Sequence, residues 1–321
     1  MKQTKFMNRV DLKPLRMLTL VGASLAFFNH ASFAADWDGR VMEIERKMDV
    51  SKNGTFQFSV PVGSVVIENH DYSHIEYSGT FKAKNSREAD RVFPRLEEKS
   101  GVTGDRTEFV IQWKGRKAPK SSGLSGQHRL KLPKAIHVEI TSAGGSIKMG
   151  DRGGSVVVTG SGGSIRVGEI LGPIKATTSG GSITIKDCGG DAALNSSGGS
   201  IKTGDVNGSL VANTSGGSIQ VGNIAGNFQA NTSGGSIHAT LESQISKPMN
   251  LKTSGGSIHV RVKPDFQATL DAKTSGGRVI CDLPLKVAGK FSKKSIHGAV
   301  NGGGPKVTLR TSGGSIRLSE I

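Results

Sequence analysis

Ser-Gly-Gly-Ser-Ile stands at residues 161–165, 179–183, 197–201, 215–219, 233–237, 254–258 and 312–316, with variants ending at Ile147 and Val279. A more decayed copy, Lys293-Lys294-Ser295-Ile296, fills the one long gap. Counted on the final residue, the positions are 147, 165, 183, 201, 219, 237, 258, 279, 296 and 316, so the steps are 18 five times, then 21, 21, 17 and 20. A period this regular means one supersecondary unit stacked on itself.

One copy shows what the unit is. Ser218-Ile219-Gln220-Val221 alternates polar and apolar, residues 222–226 turn, Asn227-Phe228-Gln229-Ala230-Asn231 alternates again, and Thr232-Ser233-Gly234-Gly235 turns back. That is two short strands and two corners. A glycine pair in every turn would cost a helix about 1 kcal/mol per glycine, which excludes helical solenoids. The fold class is therefore all-β, a parallel β-solenoid of two-strand coils. Stacked in register, Ile147, Ile165, Ile183, Ile201, Ile219, Ile237 and Ile258 form one inward column, with Met149, Val167, Ile185 and Val221 two residues on. Val156, Ile174, Ala192, Leu210 and Phe228 face them, followed by Val158, Ala176, Leu194, Ala212 and Ala230. The paired glycines are expected where φ is positive or where rungs approach closely.

The chain divides into residues 1–34, 35–140 and 141–321. Lys2, Lys5, Arg9, Lys13 and Arg16 precede an apolar run over residues 17–28, and Ser32-Phe33-Ala34 offers small residues where a signal peptidase reads, so residues 1–34 are expected to be an export leader cut before Ala35. The run is too short to cross a bilayer, and no cysteine follows it to carry a lipid anchor. The expected location is the periplasm or the cell surface. The leader's five basic residues and Asp11 take the formal charge from +16 to about +12, a surface drawn to anionic polymers or lipid head groups.

Residues 35–140 keep the strand rhythm without the repeat. Residues 56–60, 64–68, 74–78, 108–113 and 137–140 read as strands, and residues 87–99 as a short helix. Most of the aromatic residues lie here, as a cap on the first coil requires. Residues 115–127, rich in Gly, Ser, Lys and Pro, read as a mobile basic loop. The run Leu130-Lys131-Leu132-Pro133-Lys134-Ala135-Ile136-His137-Val138-Glu139-Ile140, followed by the Gly-Gly-Ser-Ile turn, resembles the leucine-proline, strand and glycine-turn hallmark of the bacterial putative-adhesin domain family. Residues 58–69 are similar to that family's opening strands, and the resemblance covers residues 55–321. It implies an exported β-helix domain with no catalytic residues to carry over.

Asp151, Glu169, Asp187, Asp205 and Asn223 recur one per coil. Carboxylates about 5 Å apart suit retaining glycosidases, so a polysaccharide-processing β-helix enzyme is the alternative reading. A catalytic site, however, is a local cluster of different groups, and turn residues of this type bond their own backbone. Calcium-bound β-rolls need Gly-Gly-x-Gly-x-Asp at each corner, whereas here Gly-Gly-Ser-Ile is followed by Lys148, Arg166, Thr184 or Lys202 with no aspartate in that place. No cofactor or metal is expected, and no Gly-x-Ser-x-Gly elbow is present.

Outward, directly after the isoleucine column, stand Lys148, Arg166, Thr184, Lys202, Gln220, His238, His259, Ile280, His297 and Arg317. Like charges one rung apart repel, so a polyanion along this ladder would be favoured by contact and by relief of repulsion. The seven ligand-binding candidates are Lys148, Arg166, Lys202, His238, His259, His297 and Arg317. Nucleic acid is not expected, because the face lacks interleaved aromatics and export separates it from the nucleoid. His238 and His259 supply only two of the ligands that zinc needs. Cys188 and Cys281 fall five rungs apart, too far for a disulfide, so two free thiols are expected. The final rung, begun by residues 312–321, is expected to end in an open edge that permits end-to-end self-association.

Overall fold

The computed structural model describes residues 29–32, 37–116, 123–288 and 292–321. Of the expected leader only Asn29–Ser32 is described, an edge strand antiparallel to Leu96–Thr103; the apolar run and the cleavage position lie outside the described residues. Two long sheets face each other through the molecule, and the isoleucines stack in single file down one of them: Ile147, Ile165, Ile183, Ile201, Ile219, Ile237 and Ile258 are Cα partners on successive rungs. The other sheet is built from Val138, Val156, Ile174, Ala192, Leu210, Phe228 and Met249 in the same manner. The strands are parallel, and both inward columns are buried. This is the β-solenoid that the period dictates.

Each coil has a third inward position that the alternation did not reveal. Arg152, Ile170, Cys188, Val206 and Ile224 are joined by single parallel bridges and are all buried. A stretch with one apolar residue between glycines reads as a turn, yet that residue closes the open side of the coil. At its start the column holds Arg152, whose guanidinium donates to Asn69 Oδ1 at 2.9 Å and to the Pro133 carbonyl. Burial pushes its pKa down to about 10.

The corners show why the motif is Thr/Ser-Ser-Gly-Gly-Ser. A Cβ on the second glycine of most turns would strike backbone of the neighbouring turn: at Gly217 it would stand 2.3 Å from the Gly199 carbonyl oxygen. Close approach is the general reason for that glycine, and among these second glycines only Gly145 has positive φ, at 88°. The buried hydroxyl just before each turn donates to a glycine carbonyl of the adjoining one, as in Thr178 to Gly163 at 2.9 Å, Thr214 to Gly199 at 2.7 Å and Thr232 to Gly217 at 2.8 Å. The serine before each isoleucine accepts the backbone N–H of its counterpart on the next rung, Ser200 from Ser218 and Ser218 from Ser236, each at 3.1 Å.

Both ends of the stack depart from sequence order. At the amino end the coil of Thr55–Val60 and Ser64–His70 lies between that of Arg106–Trp113 and Leu124–Pro133 and that of His137–Ser142 and Ile147–Met149. At the carboxyl end Lys306–Thr311 and Ile316–Glu320 insert between the coil of Met249–Thr253 and Ile258–Val262 and that of Ala268–Thr274 and Val279–Cys281. Ile296 is therefore not a rung of the isoleucine column. Ser295–Val300 runs antiparallel against Ala268–Thr274 in the opposite sheet, with Leu285–Val287 beyond it. Spacing alone cannot distinguish a parallel return from an antiparallel one.

The same insertion places Cys188 and Cys281 six rungs apart rather than five, and both are free. The last rung is not left open in the sheet opposite the isoleucines, where the antiparallel pair covers it. The helix is shorter than expected: Ser86–Val92, capped by Asn85 Oδ1 accepting from the Glu88 N–H at 2.8 Å, gives way at Pro94 to the strand Leu96–Thr103. Of the expected basic loop, residues 124–127 are already strand, because Leu124, Gly126, His128, Leu130 and Leu132 alternate inward; residues 117–122 lie outside the described residues.

Aromatic residues replace the small apolar ones at the amino end. Phe58 stacks on Phe109 at 5.8 Å and Tyr77 meets Phe109 edge-on at 4.8 Å. Among them the Tyr77 hydroxyl donates to His128 Nδ1 at 2.9 Å, and His128 Nε2 donates to the Val62 carbonyl at 2.9 Å. That carbonyl can only accept, which fixes the neutral tautomer. Burial lowers the His128 pKa to about 4.

Candidate functional site: a cationic face on the isoleucine sheet

Outward residues of the isoleucine sheet line up because their inward neighbours do. Val66, Lys148, Arg166, Thr184, Lys202, Gln220, His238, His259, Arg317 and Ile280 are partners on consecutive rungs, and Arg129 adds a cation before Val66. Lys148, Arg166, Lys202, His238, His259 and Arg317 are exposed. Six of the seven expected ladder residues thus share one face. The seventh, His297, is exposed on the other sheet opposite Asp271, because its strand returns antiparallel. Arg317 moves up to become the direct neighbour of His259.

From Lys148 to Arg317 the column covers seven steps, about 34 Å at a rung spacing of about 4.8 Å. No position in it is acidic. Arg129 is paired with Glu68 at 2.7 Å and Arg317 with Asp282 at 2.8 Å. Lys148, Arg166 and Lys202 form no ion pair among the described residues.

The face changes where the coils lengthen. Strands of three residues such as Ile219–Val221 give way to five in Ile237–Leu241, Ile258–Val262 and Ile316–Glu320. The extra length adds a second outward row, Thr240, Arg261 and Ser319, beside the first. Between the rows is a cavity of about 330 Å³ lined by Gln220, His238, His259, Arg261, Arg317 and hydroxyl-bearing neighbours. The His238 and His259 rings stand 5.2 Å apart, edge to face. Burial, then the neighbouring His238 and Arg317, hold the His259 imidazole below its ordinary pKa. Arg261 was not among the expected site residues. Its signal was the step from 18 to 21 residues, which lengthens the strand, together with the outward alternation of His259 and Arg261.

The acidic column is occupied structurally. Asp151 Oδ1 accepts the Glu169 N–H at 2.8 Å, Asp187 Oδ1 that of Asp205 at 2.7 Å, and Asp205 Oδ1 that of Asn223 at 2.9 Å. These side chains bind one rung to the next. On the opposite sheet Asn231 donates to Asn213 at 2.9 Å and Asn213 to Asn195 at 3.0 Å, an amide ladder without charge.

The profile of one protein family, Toastrack DUF4097, matches residues 59–319. No curated protein matches the chain. Solved structures similar to it include a putative adhesin from Bacteroides fragilis, at 10% identity over 87% of this chain and 97% of that one with a TM-score of 0.37. A putative cell adhesion protein from Clostridium sporogenes is 12% identical over 87% of this chain and 100% of that one, with a TM-score of 0.24. A putative adhesin from Parabacteroides distasonis gives 12%, 87%, 97% and 0.30 for the same measures.

Proposed function

The chain belongs to the Toastrack DUF4097 family, and on that premise we propose that it is an exported, adhesin-like, non-catalytic binding scaffold whose cationic face engages an anionic glycan or lipid phosphate of the cell envelope. The observation that carries this reading is the single file of Lys148, Arg166, Lys202, His238, His259 and Arg317 with no carboxylate among them. A linear polyanion laid along the axis meets a cation on most rungs and releases the counterions that the face would otherwise hold. Of the four carboxylates that an enzyme reading would need, those of Asp151, Asp187 and Asp205 are committed to the backbone of adjoining rungs.

The test is affinity for an anionic polysaccharide such as alginate as a function of salt. Replacing Lys148, Arg166 and Lys202 together by Gln is expected to lower the slope of log affinity against log salt by about 2 to 3, since each phosphate-type contact contributes about 0.7 to 0.9. An unchanged slope overturns the ladder as the binding face.

A further inference from the structure

Apart from Ala239, every side chain that lines the cavity between the two outward rows is a donor or can become one. Arg261 and Arg317 bring guanidiniums, His238 and His259 imidazoles, Gln220 an amide, and Thr240 and Ser319 hydroxyls. We propose that this cavity binds a phosphomonoester, the doubly charged terminal phosphate of a sugar or a lipid head group. The inference rests on the anion-binding reading of the face and adds the chemistry of one position on it.

Three features select a monoester over a singly charged group. Guanidiniums match the tetrahedral oxygens of a phosphate two at a time. Arg261 forms no ion pair among the described residues and is exposed, so its fork is uncommitted. The two imidazoles stand 5.2 Å apart and His238 opposes protonation of His259, and an anion of charge −2 between them removes that opposition where a carboxylate or phosphodiester neutralises only one charge. The second ionisation of a phosphomonoester, near 6, lies in the range where histidine titrates, so ligand and site exchange protons over the same interval.

The groups facing the histidines are few. Arg261 and Thr240 lie two residues on in their own strands. Gln220 and then Lys202 stand on the rungs toward the amino end. Arg317 stands on the other side, held by Asp282 at 2.8 Å, with Ile280 beyond it and Glu320 closing its strand. A cavity of about 330 Å³ is at the small end of ligand sites, which suits a phosphorylated head group rather than a polymer segment.

The experiment follows the histidine ring signals of the full chain by NMR while glucose 6-phosphate or dimethyl phosphate is added at constant ionic strength. Glucose 6-phosphate is expected to raise the titration midpoint of His259 by about one pH unit, and dimethyl phosphate to leave it in place. Arg261→Gln, an exposed substitution, is expected to weaken glucose 6-phosphate at least tenfold, while Lys175→Gln, exposed on the opposite sheet, stays within about twofold. Vesicles of phosphatidic acid against phosphatidylglycerol then identify the source. Preferential sedimentation with phosphatidic acid that Arg261→Gln abolishes assigns a lipid, and binding confined to the sugar phosphate assigns a glycan. Equal responses to both soluble phosphates, or an affinity indifferent to Arg261→Gln, overturn the monoester site. Because the alginate salt slope reads different residues, it can stand when this site falls.

Discussion

The middle of the stack and its two ends obey different rules of assembly. From residue 137 to residue 262 each coil lies on the one just before it in the chain, so sequence order is spatial order. At both ends a coil sits between two that are not its chain neighbours on both sides. The columns remain in register throughout, and the serine chain shows it: Ser257 Oγ accepts from Ser315, and Ser315 Oγ from Arg278. Register is thus set by side-chain pattern alone, whereas order is set by how the connections return.

The sharpest way to break this comparison is to remove one coil from each region. Deleting residues 306–321 takes out Val307, Leu309, Ile316 and Leu318, each at most 1% exposed, and leaves a gap between two standing coils. Burial of such side chains is worth about 1.5 to 3 kcal/mol each. The truncated chain is therefore expected to lose its cooperative thermal transition or to melt more than about 10 °C lower. Excising residues 201–218, one complete middle coil, lets its neighbours close in register and is expected to shift Tm by less than about 5 °C. If the two deletions cost the same, the ends are not special.

A second difference is chemical. The middle buries hydroxyls and the Arg152 guanidinium beside its apolar columns, while the amino end buries His128 against Tyr77. Unfolded His128 titrates near 6.5 and folded His128 near 4. Between those values the unfolded chain binds more protons, so stability falls as pH drops from about 6.5 to about 4, by up to about 3 kcal/mol. Denaturant melts at pH 7 and 4.5 read this loss, and His128→Gln is expected to flatten it. A loss of the same size in the variant assigns it elsewhere.

The smallest effect tests rung contact in the middle. A Cβ on Gly163 would stand 2.1 Å from the Gly145 carbonyl oxygen, while one on Gly162 meets nothing within 4 Å. Gly163→Ala is expected to cost about 1 to 3 kcal/mol and Gly162→Ala less than about 0.5 kcal/mol by chemical denaturation. Equal costs would mean that the pair serves turn conformation instead.

What the sequence made legible follows the same division. The isoleucine column, its facing column and the outward cations needed only a constant period and strict alternation, both of which hold through the middle. The column of Ile170, Cys188, Val206 and Ile224 escaped because a single bridging residue has no alternation to show. The hydroxyls of Thr178, Thr214 and Thr232 looked like turn polarity and are buried ties between corners. Ile296 and His297 were misassigned because distance along the chain carries no information on strand direction. Arg261 was legible only to someone asking what three added residues per coil would do to the strand.

The inserted carboxyl-terminal coil also bears on how the molecule is made. A chain delivered amino end first can lay down coils in turn as far as residue 262, but the next layer belongs to residues 306–320, which arrive only after residues 268–281. The segment of residues 268–281 has no permanent seat until then. Completion of the stack is consequently tied to delivery of residues 306–320, and a product cut short before them would expose two raw faces of sheet to any degradative enzyme nearby.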